Sequence, residues 1–372
     1  HAMHLRVIDF EYVSPLKCEA AFHGLAAAVE PEDYPVLCLV NPDKLYVSIP
    51  HFQVVKQAID QERCREQELR VIRRHTGGSV ALNDRSQMLM HFIQPRSAIT
   101  EPVVDLYPKF LEPVIGTCRK LGIEAEFSPI NEIFVSDRKI GSADSAQIGE
   151  AIVVACNLMF DVDFAGLANC LNAPSDAFRD KLRTMLEDTS TTVLHELHLM
   201  PQREEFVRLL VKECAESLGM ETFKVSPTEG EQTAIDEWAE RLAEDEWTYG
   251  PDLTVAETDA TVAAEDAPVD VAHVTAGGLI SVHVVEHEGV IAELVLSGEF
   301  SCIPSEGLEA LSRQMVGGHM DEAGLAAQVA QTMEELGMQM PGIAPADIAA
   351  AIVAAHKVLR MQADAAGIGQ KR

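Results

Sequence analysis

The chain is poor in basic residues. Only 29 lysines and arginines stand against 59 aspartates and glutamates, which gives a formal net charge of −30. Proteins that bind nucleic acid neutralise its phosphates with a basic face, so this composition argues against that class of protein. Much of the acidic excess falls in two runs, residues 236–246 and 257–270, which we interpret as solvated surface and linker.

Long apolar runs are also missing. The longest covers Ala151 to Phe160, whereas a helix needs about 20 apolar residues to span a bilayer. The sequence therefore predicts no membrane-spanning helix. We identify no signal peptide either, and we interpret His1-Ala2-Met3 as a cloning remnant in front of a natural start at Met3.

Paired cysteine motifs are absent as well. The eight cysteines are scattered, without a C-x-x-C pair. In a chain of 372 residues this spacing indicates reduced thiols in a cytoplasmic protein, not a disulfide framework. Hydrophobic residues make up 47% of the chain, which is typical of a soluble globular protein long enough for two domains.

What the chain does contain is a donor-rich stretch around two glycines, Arg73 to Asp84. The pair Gly77-Gly78 lets the backbone adopt positive φ and bring its N–H groups close to a ligand. Arg74 and Thr76 add donors suited to a phosphate or a carboxylate. The apolar segments on either side are equally compatible with a plain hairpin turned by two glycines, so these residues alone leave both interpretations open.

A second stretch, Asn131 to Ala143, is typical of a strand, a turn and a second strand, with Lys139 followed by small residues. Together the two stretches resemble the lipoate-protein ligase family, which shares its fold with biotin-protein ligases and octanoyltransferases. The matching residues of the first stretch are Arg73, Arg74, Thr76, Gly77, Gly78, Asn83 and Asp84. Those of the second stretch are Asn131, Lys139, Ile140, Gly141, Ser142 and Ala143.

The resemblance implies an α+β fold, in which a mostly antiparallel sheet is flanked by helices as in biotin and lipoate ligases. It also implies a small α+β accessory domain at the C-terminus. The expected organisation is a catalytic domain over residues 1–250, an acidic linker over 251–277 and the accessory domain over 278–372. In this last part the sequence predicts a hairpin over 278–300 and three helices, near 305–315, 322–336 and 345–362.

The resemblance further implies the chemistry. Lipoate and ATP, with Mg²⁺, would give lipoyl-adenylate, and the lipoyl group would then pass to a lysine of an acceptor protein. The expected acceptor is a lipoyl domain or a protein like the H protein of the glycine cleavage system; neither nucleic acid nor a membrane is an expected partner. Lys139 is the expected catalytic residue, because its charge would stabilise the anion that develops during adenylation.

The other site residues follow from the same resemblance. Val80 and Ala81 are expected to line the lipoyl tunnel, and Glu132 is the candidate ligand for Mg²⁺. The expected contacts to lipoate and the adenylate are Arg74, Thr76, Gly77, Gly78, Ser79, Val80, Ala81, Asn131, Ile140, Gly141, Ser142, Ala143 and Asn157.

Four features depart from the family pattern. Ser79 replaces the third glycine of the run, and Glu132 replaces an aspartate. Ala155-Cys156-Asn157 stands where the family has His-Gly-Thr. The lysine turn is one residue shorter than in the family, because Lys139-Ile140 runs directly into Gly141, so Arg138 is an alternative candidate for the catalytic cation.

Two other functions remain open. A transferase that works through a thioester needs a positioned cysteine, but the region before the lysine stretch, Glu124 to Ser128, has none, and Cys118 and Cys156 are predicted to lie in the core. A protein that binds lipoate without activating it is compatible with the missing His-Gly-Thr triplet. A zinc site at His195 and His198 is disfavoured, because their spacing is i,i+3 and no third ligand is evident.

Overall fold

The computed structural model describes residues 3–250 and 269–365. Its packing divides the chain into two units. The first comprises His1–His51 and Val55–Thr248, and the second comprises Phe52–Val54 and Tyr249–Arg372. Most of the predicted acidic linker, residues 251–268, lies outside the described residues, so the predicted domain boundaries stay a prediction.

The first unit contains eleven named strands and nine named helices within residues 3–248, besides a short 3₁₀ turn at Arg96–Ala98 and helical residues at 245–248. In chain order the elements are β1 (Met3–Val13), α1 (Pro15–Ala27), β2 (Val36–Pro42), β3 (Tyr46–Ile49), α2 (Val55–Ala58), α3 (Gln61–Glu66), β4 (Arg70–Arg73), β5 (Ala81–Asn83), β6 (Leu89–Pro95), α4 (Val103–Lys120), β7 (Ala125–Ser128), β8 (Glu132–Val135), β9 (Arg138–Ile148), β10 (Ala151–Leu158), α5 (Phe164–Cys170), α6 (Asp176–Thr189), α7 (Val193–Leu197), α8 (Arg203–Leu218), β11 (Met220–Lys224) and α9 (Glu229–Ala243).

Eight of these strands form the main sheet, in the order β11-β1-β2-β6-β10-β9-β8-β7. Strand β1 runs parallel to both β11 and β2. The other five neighbouring pairs are antiparallel. The prediction of a mostly antiparallel sheet in an α+β fold is therefore confirmed.

Helices cover both faces of this sheet. Strand β10 is almost wholly buried, and its side chains alternate between the two faces, as they must in a strand. Val153 packs in the cluster that holds Phe22 and Leu25 of α1, whereas the Cys156 thiol donates to the Phe110 carbonyl oxygen of α4, 3.5 Å away. Burial on both faces of the sheet explains why β10 is almost continuously apolar.

A second, three-stranded sheet carries the Gly-Gly stretch. Its order is β4-β3-β5, with β3 parallel to β4 and antiparallel to β5. Strands β4 and β5 therefore lie on opposite sides of β3. Residues 74–80 connect the two strands and are called the β4–β5 crossing below. The plain hairpin that the sequence left open would require β4 and β5 to pair, so this arrangement excludes it.

Two short helices, α2 and α3, follow β3 with a break between them. Asp60 begins α3, because its side-chain oxygen accepts a hydrogen bond from Arg63 N at 3.1 Å. An N-cap of this kind competes with a continuous helix.

The second unit is a three-stranded antiparallel sheet with three helices in its described part. The elements are β12 (Val269–Thr275), β13 (Gly278–His287), β14 (Val290–Glu299), α10 (Gly307–Met315), α11 (Glu322–Glu335) and α12 (Pro345–Ala365). The hairpin and the three helices agree with the prediction, and Glu288-Gly289 makes the hairpin turn with φ of 52° and 83°.

The core of the second unit includes a residue from far along the chain. Phe52 packs in the same apolar cluster as Ile280, Leu311 and Ile352. Its ring stacks on Phe300 with centroids 5.2 Å apart.

No helix of the described residues is long and apolar enough to cross a membrane.

Candidate active site

A cavity of about 320 Å³ lies in the first unit. Its walls come from β3, β5, the β4–β5 crossing and strands β6, β9 and β10 of the main sheet, with α1, α5 and the end of α6. This volume is at the lower end of the range for small-molecule sites. The cavity is therefore the candidate active site.

Most of the residues expected from the sequence meet at this cavity. Those that line it are Arg74, Thr76, Ser79, Val80, Ala81, Lys139, Gly141, Ser142 and Asn157. The remaining expected residues are not among those that line it: Gly77, Gly78, Asn131, Glu132, Ile140 and Ala143. Two stretches separated by about fifty residues of sequence are thus brought to one place.

Lys139 lies in the wall, whereas Arg138 points elsewhere. Strand β9 carries a bulge at Ile140, because the pairing with β8 shifts by one residue there. A bulge reverses the alternation of side chains, which keeps Lys139 on the same side of the strand as Ser142. The two Nη atoms of Arg138 instead lie 3.2 Å from His195 Nε2 and 3.0 Å from the Glu187 carbonyl oxygen. Of the two candidate cations, only Lys139 lines the cavity.

The Lys139 ammonium is held by Glu132, whose Oε1 lies 2.9 Å from Nζ. Both side chains are about one-third exposed, so solvent screens the pair. The Lys139 backbone is fixed separately, since its carbonyl oxygen accepts Thr191 N at 2.8 Å. The Glu132 carboxylate expected at a metal therefore contacts the lysine in this structure.

Arg74 lines the cavity, but its hydrogen bonds go to the protein. Nε donates to Thr76 Oγ1 at 3.1 Å, and Nη1 donates to the carbonyl oxygen and hydroxyl of Ser48 at 3.1 and 3.2 Å. Nη2 donates to the carbonyl oxygens of Gly77 and Ser79 at 2.8 and 2.7 Å. All five N–H groups of the guanidinium are thereby used, so its hydrogen bonds hold the β4–β5 crossing in shape.

The crossing passes so close to β9 that only glycine fits. Gly78 has φ of +89°, and a Cβ there would lie 2.4 Å from Asp144 Oδ2. Gly141 is constrained in the same way, because a Cβ would lie 2.4 Å from the Asn157 carbonyl oxygen. Gly141 therefore allows close packing of two backbones, and Gly78 allows a positive φ beside the Asp144 carboxylate.

Asn131, Ile140 and Ala143 support the wall from behind. The Asn131 amide donates to the Ala143 carbonyl oxygen at 2.7 Å, and Ala143 N donates back to the Asn131 carbonyl oxygen at 2.8 Å. Ile140 and Ala143 are fully buried. None of the three lines the cavity, although all three were expected to contact lipoate or the adenylate, and the Asn131 amide nitrogen is engaged with the protein.

Asp144 is a cavity residue that the sequence did not single out. It is buried, and the main contact of its carboxylate is Asn157 Nδ2, 3.4 Å from Oδ2. Burial raises the pKa of Asp144, although Arg74 and Lys139 act to lower it. The alternation of side chains along a strand predicts that Asp144 also faces the cavity, because it lies two positions after Ser142 on the same face of β9.

The inner end of the cavity holds two further residues that sequence reasoning missed, Glu19 and His91. Glu19, on α1, is 1% exposed, and its Oε1 accepts the hydroxyl groups of Tyr46 and Ser48, each at 2.7 Å. Burial raises the pKa of this carboxyl. His91 is 4% exposed, and its ring stacks on Phe22 with centroids 4.0 Å apart. Burial, with Arg74 nearby, lowers the pKa of His91 to about 3.

None of the cysteines belongs to this wall. All eight lie in the described residues, all are buried, and none lines the cavity. Cys156 lies on the opposite face of the sheet, as described above, and burial raises the pKa of its thiol well above the ordinary value. A thiol of this kind is inert.

The two histidines considered for zinc do not belong to a metal cluster in the part of the chain that the structure describes. Their rings are 6.4 Å apart. Within residues 3–250 and 269–365 no group of three or more histidines, cysteines or carboxylates is arranged to hold a metal ion.

The family model described as the lipoyl protein ligase A/B catalytic domain matches residues 17–215, which is more than half of the chain. This segment contains both stretches, Arg73 to Asp84 and Asn131 to Ala143, and every strand of the cavity wall. The chain belongs to this family, as the two sequence stretches predicted.

Individual relatives include both transferases and ligases. The octanoyltransferase LipM of Kyrpidia tusciae is 27% identical over 240 residues, which cover 58% of this chain and 87% of that protein. The bi-partite lipoate protein ligase of Thermoplasma acidophilum, described with its E2 lipoyl domain, is 21% identical with a TM-score of 0.61; the match covers 67% of this chain and 97% of that one.

A third relative extends the similarity of fold through both units. The structure of P. falciparum LipL1 in complex with lipoate aligns with a TM-score of 0.65 at 12% identity, and it covers 96% of this chain and 99% of that one. Family membership makes the chain an enzyme of the ligase or transferase type that handles lipoyl or related acyl groups.

Proposed function

We propose that this chain is an ATP-dependent lipoate-protein ligase. It activates lipoate to lipoyl-adenylate and then passes the lipoyl group to a lysine of an acceptor protein. The observation that supports this most is a cavity wall that contains Lys139 and, among the described residues, no thiol. Adenylation needs a fixed positive charge beside the phosphate, whereas transfer through a thioester needs a cysteine nucleophile.

In the first step, a carboxylate oxygen of lipoate attacks the α-phosphorus of ATP. The bond from that phosphorus to the bridging oxygen breaks, and pyrophosphate leaves. Negative charge grows on the α-phosphate oxygens, where Lys139 Nζ stabilises it. A lysine about 4 Å from an anion contributes about 4 kcal/mol at an effective dielectric near 20. This corresponds to a rate increase of about a thousandfold.

In the second step, the neutral amine of the acceptor lysine attacks the lipoyl carbonyl carbon. The bond from that carbon to the phosphate oxygen breaks, and AMP leaves while the amine loses a proton. The Ser142 hydroxyl and the Asn157 amide are in the same wall as Lys139. We assign them as donors to the carbonyl and phosphate oxygens, each contributing about 1 kcal/mol.

The β4–β5 crossing forms the rest of the pocket. We assign Thr76 and Ser79, which line the cavity beside Gly77 and Gly78, to the anionic end of the ligand, and the side chains of Val80 and Ala81 to the acyl chain. Arg74 contributes its positive charge to the site while its hydrogen bonds keep the crossing in place.

Mg²⁺ is usually bound through one or two carboxylates together with phosphate oxygens, and when bound it would supply positive charge at the phosphates. Glu132 fits this role if its carboxylate exchanges Lys139 Nζ, 2.9 Å away, for the ion. Such an exchange would leave the lysine free for the α-phosphate. Asn131 Oδ1 is a neutral oxygen on the neighbouring residue and completes the proposed set.

We propose a lipoyl domain or an H-like protein as the acceptor. The Thermoplasma ligase and its E2 lipoyl domain support the first of these.

We further propose residues 1–250 as the catalytic domain, 251–277 as a linker and 278–372 as an accessory domain. Eight free thiols favour a reducing, cytoplasmic compartment.

The second candidate is an octanoyltransferase, which the similarity to LipM favours. The two functions differ in what they require, so one assay separates them. The protein is incubated with an acceptor domain and either lipoate plus ATP and Mg²⁺ or an octanoyl thioester, with and without iodoacetamide. The ligase predicts acylation only with ATP and no effect of iodoacetamide. Transfer without ATP that iodoacetamide abolishes would contradict the ligase.

A further inference from the structure

The inner end of the cavity is polar, although it is the part most shielded from solvent. Glu19 and His91 lie there, and both are more than nine-tenths buried. Lys139, by contrast, is in a more exposed part of the wall, with 37% of its side chain exposed. A ligand that puts its carboxylate at Lys139 therefore directs its far end toward Glu19 and His91.

Sheet register explains this arrangement. His91 pairs with Ala155 of β10, and Ala155 pairs with Asp144 of β9. These three side chains form a row across the main sheet. The adjacent row contains Ser142 and Asn157, which are nearer to Lys139. The next row in the other direction, with Val153, is covered by α1. The row of His91 is thus the last one that the cavity reaches.

Both polar residues have hydrogen-bonding capacity left for a ligand. The two hydroxyl donors to Glu19 go to Oε1, and no described residue donates to Oε2. His91 Nδ1 is sealed from solvent and has no hydrogen-bond partner among the described residues. Nε2 is therefore the nitrogen that can meet a ligand. Buried polar atoms without partners are rare in folded proteins and mark places where a bound group completes the set.

We propose that Glu19 and His91 make this cavity select lipoyl over octanoyl groups. This inference rests on the proposed function and specifies its substrate. The dithiolane of lipoate brings two polarisable sulfur atoms, which accept weak hydrogen bonds from the N–H of neutral His91 and from Glu19 when its carboxyl is protonated, and which make favourable contacts with aromatic rings. The terminal methyl of octanoate offers neither, so it would leave Glu19 Oε2 and His91 Nε2 without a hydrogen-bond partner.

The size of the effect is modest because sulfur is a weak acceptor. One weak hydrogen bond gained, or one polar group left unpaired, corresponds to about tenfold in affinity. We therefore expect the full-length protein to bind lipoate about tenfold more tightly than octanoate.

The test is calorimetric titration of the full-length protein with lipoate and, separately, with octanoate, which requires no catalysis. His91→Phe keeps a flat ring that can stack on Phe22 but removes the nitrogen, so the preference for lipoate should disappear. His91→Gln restores a polar group and should keep most of the preference. His4→Phe on β1 is the matched control, because it makes the same chemical change away from the cavity.

The outcomes distinguish this inference from the proposed function. A lipoate preference lost in His91→Phe and kept in His91→Gln and His4→Phe supports the inference. Lipoate bound no more tightly than octanoate, or an equal ratio in wild type and His91→Phe, overturns the inference and leaves the ligase function standing. Binding of neither acid by the wild-type protein overturns both.

Discussion

Glu132 Oε1 lies 2.9 Å from Lys139 Nζ, at the wall of the cavity. The two residues lie on neighbouring strands, β8 and β9, on either side of a two-residue turn. The Glu132 carboxylate orients the Lys139 ammonium, and both side chains stay about one-third exposed. An ion pair this exposed contributes little to stability, about 0–1 kcal/mol, so an incoming phosphate can replace Glu132 at little cost.

The first prediction separates the two candidate cations. Lys139→Ala should reduce the rate of adenylate formation by about a thousandfold, because it removes about 4 kcal/mol of charge stabilisation. Arg138→Ala should cost less than about tenfold, since that side chain contacts His195 and the Glu187 carbonyl oxygen outside the cavity. Pyrophosphate release measures both rates. An inactive Arg138→Ala with an active Lys139→Ala would refute the assignment.

The second prediction concerns Ser79, the departure from the glycine run. Its carbonyl oxygen accepts Arg74 Nη2, whereas its hydroxyl makes no hydrogen bond within the described residues. Ser79→Gly should therefore change the Kd of lipoate and of ATP by no more than about twofold. Titration of both ligands checks this. A loss of about tenfold, the size of one hydrogen bond, would mean that the hydroxyl binds the ligand.

The third prediction is a pH dependence of stability. His91 has a folded-state pKa of about 3, below the value of about 6.5 for an unfolded histidine. The unfolded chain therefore binds this proton first, so the contribution of His91 is full above about pH 7 and is lost as the pH falls from about 6.5 toward 3. Each pH unit in that window costs about 1.4 kcal/mol.

His91→Phe removes this titration while the other acidic groups still titrate. Between about pH 7.5 and about pH 5, the stability of the variant relative to wild type should rise by about 2 kcal/mol. Urea unfolding at the two pH values measures the difference. A difference between the two proteins that stays constant with pH would contradict the assigned burial of a neutral His91.

The fourth prediction concerns Phe52, which belongs to the second unit. Its ring stacks on Phe300, and its carbonyl oxygen accepts Gly298 N at 2.9 Å. Phe52→Ala should destabilise this unit by about 3 kcal/mol, because it leaves a cavity in the core. Hydrogen exchange of β13 and β14 peptides should accelerate accordingly. Phe178→Ala, a change at a 49% exposed residue, is the control and should leave that exchange unchanged.

Local patterns in the sequence predicted much of the fold and part of the site. The residues around Gly77 and Lys139 were found because each stretch is contiguous and chemically dense. The bulge at Ile140 was not predicted, since it depends on how β9 pairs with β8. It explains how a shortened turn still keeps Lys139 at the cavity, which the sequence left open between Lys139 and Arg138.

Glu19 and His91 were missed for a different reason. Each lies in a segment that reads as ordinary core, α1 and β6, and only the tertiary arrangement brings them to the cavity. The membership of Phe52–Val54 in the second unit was equally invisible, because three loop residues carry no periodic pattern. Sequence patterns report local structure, and these features depend on contacts between distant segments.

The most direct test of the ligase assignment is mass spectrometry of the first half-reaction, without any acceptor protein. Wild type, Lys139→Ala and Arg138→Ala are each incubated with lipoate, ATP and Mg²⁺. We expect lipoyl-adenylate and pyrophosphate with wild type and with Arg138→Ala, and neither product with Lys139→Ala. No adenylate from the wild-type protein, together with acyl transfer from an octanoyl thioester, would contradict the ligase assignment.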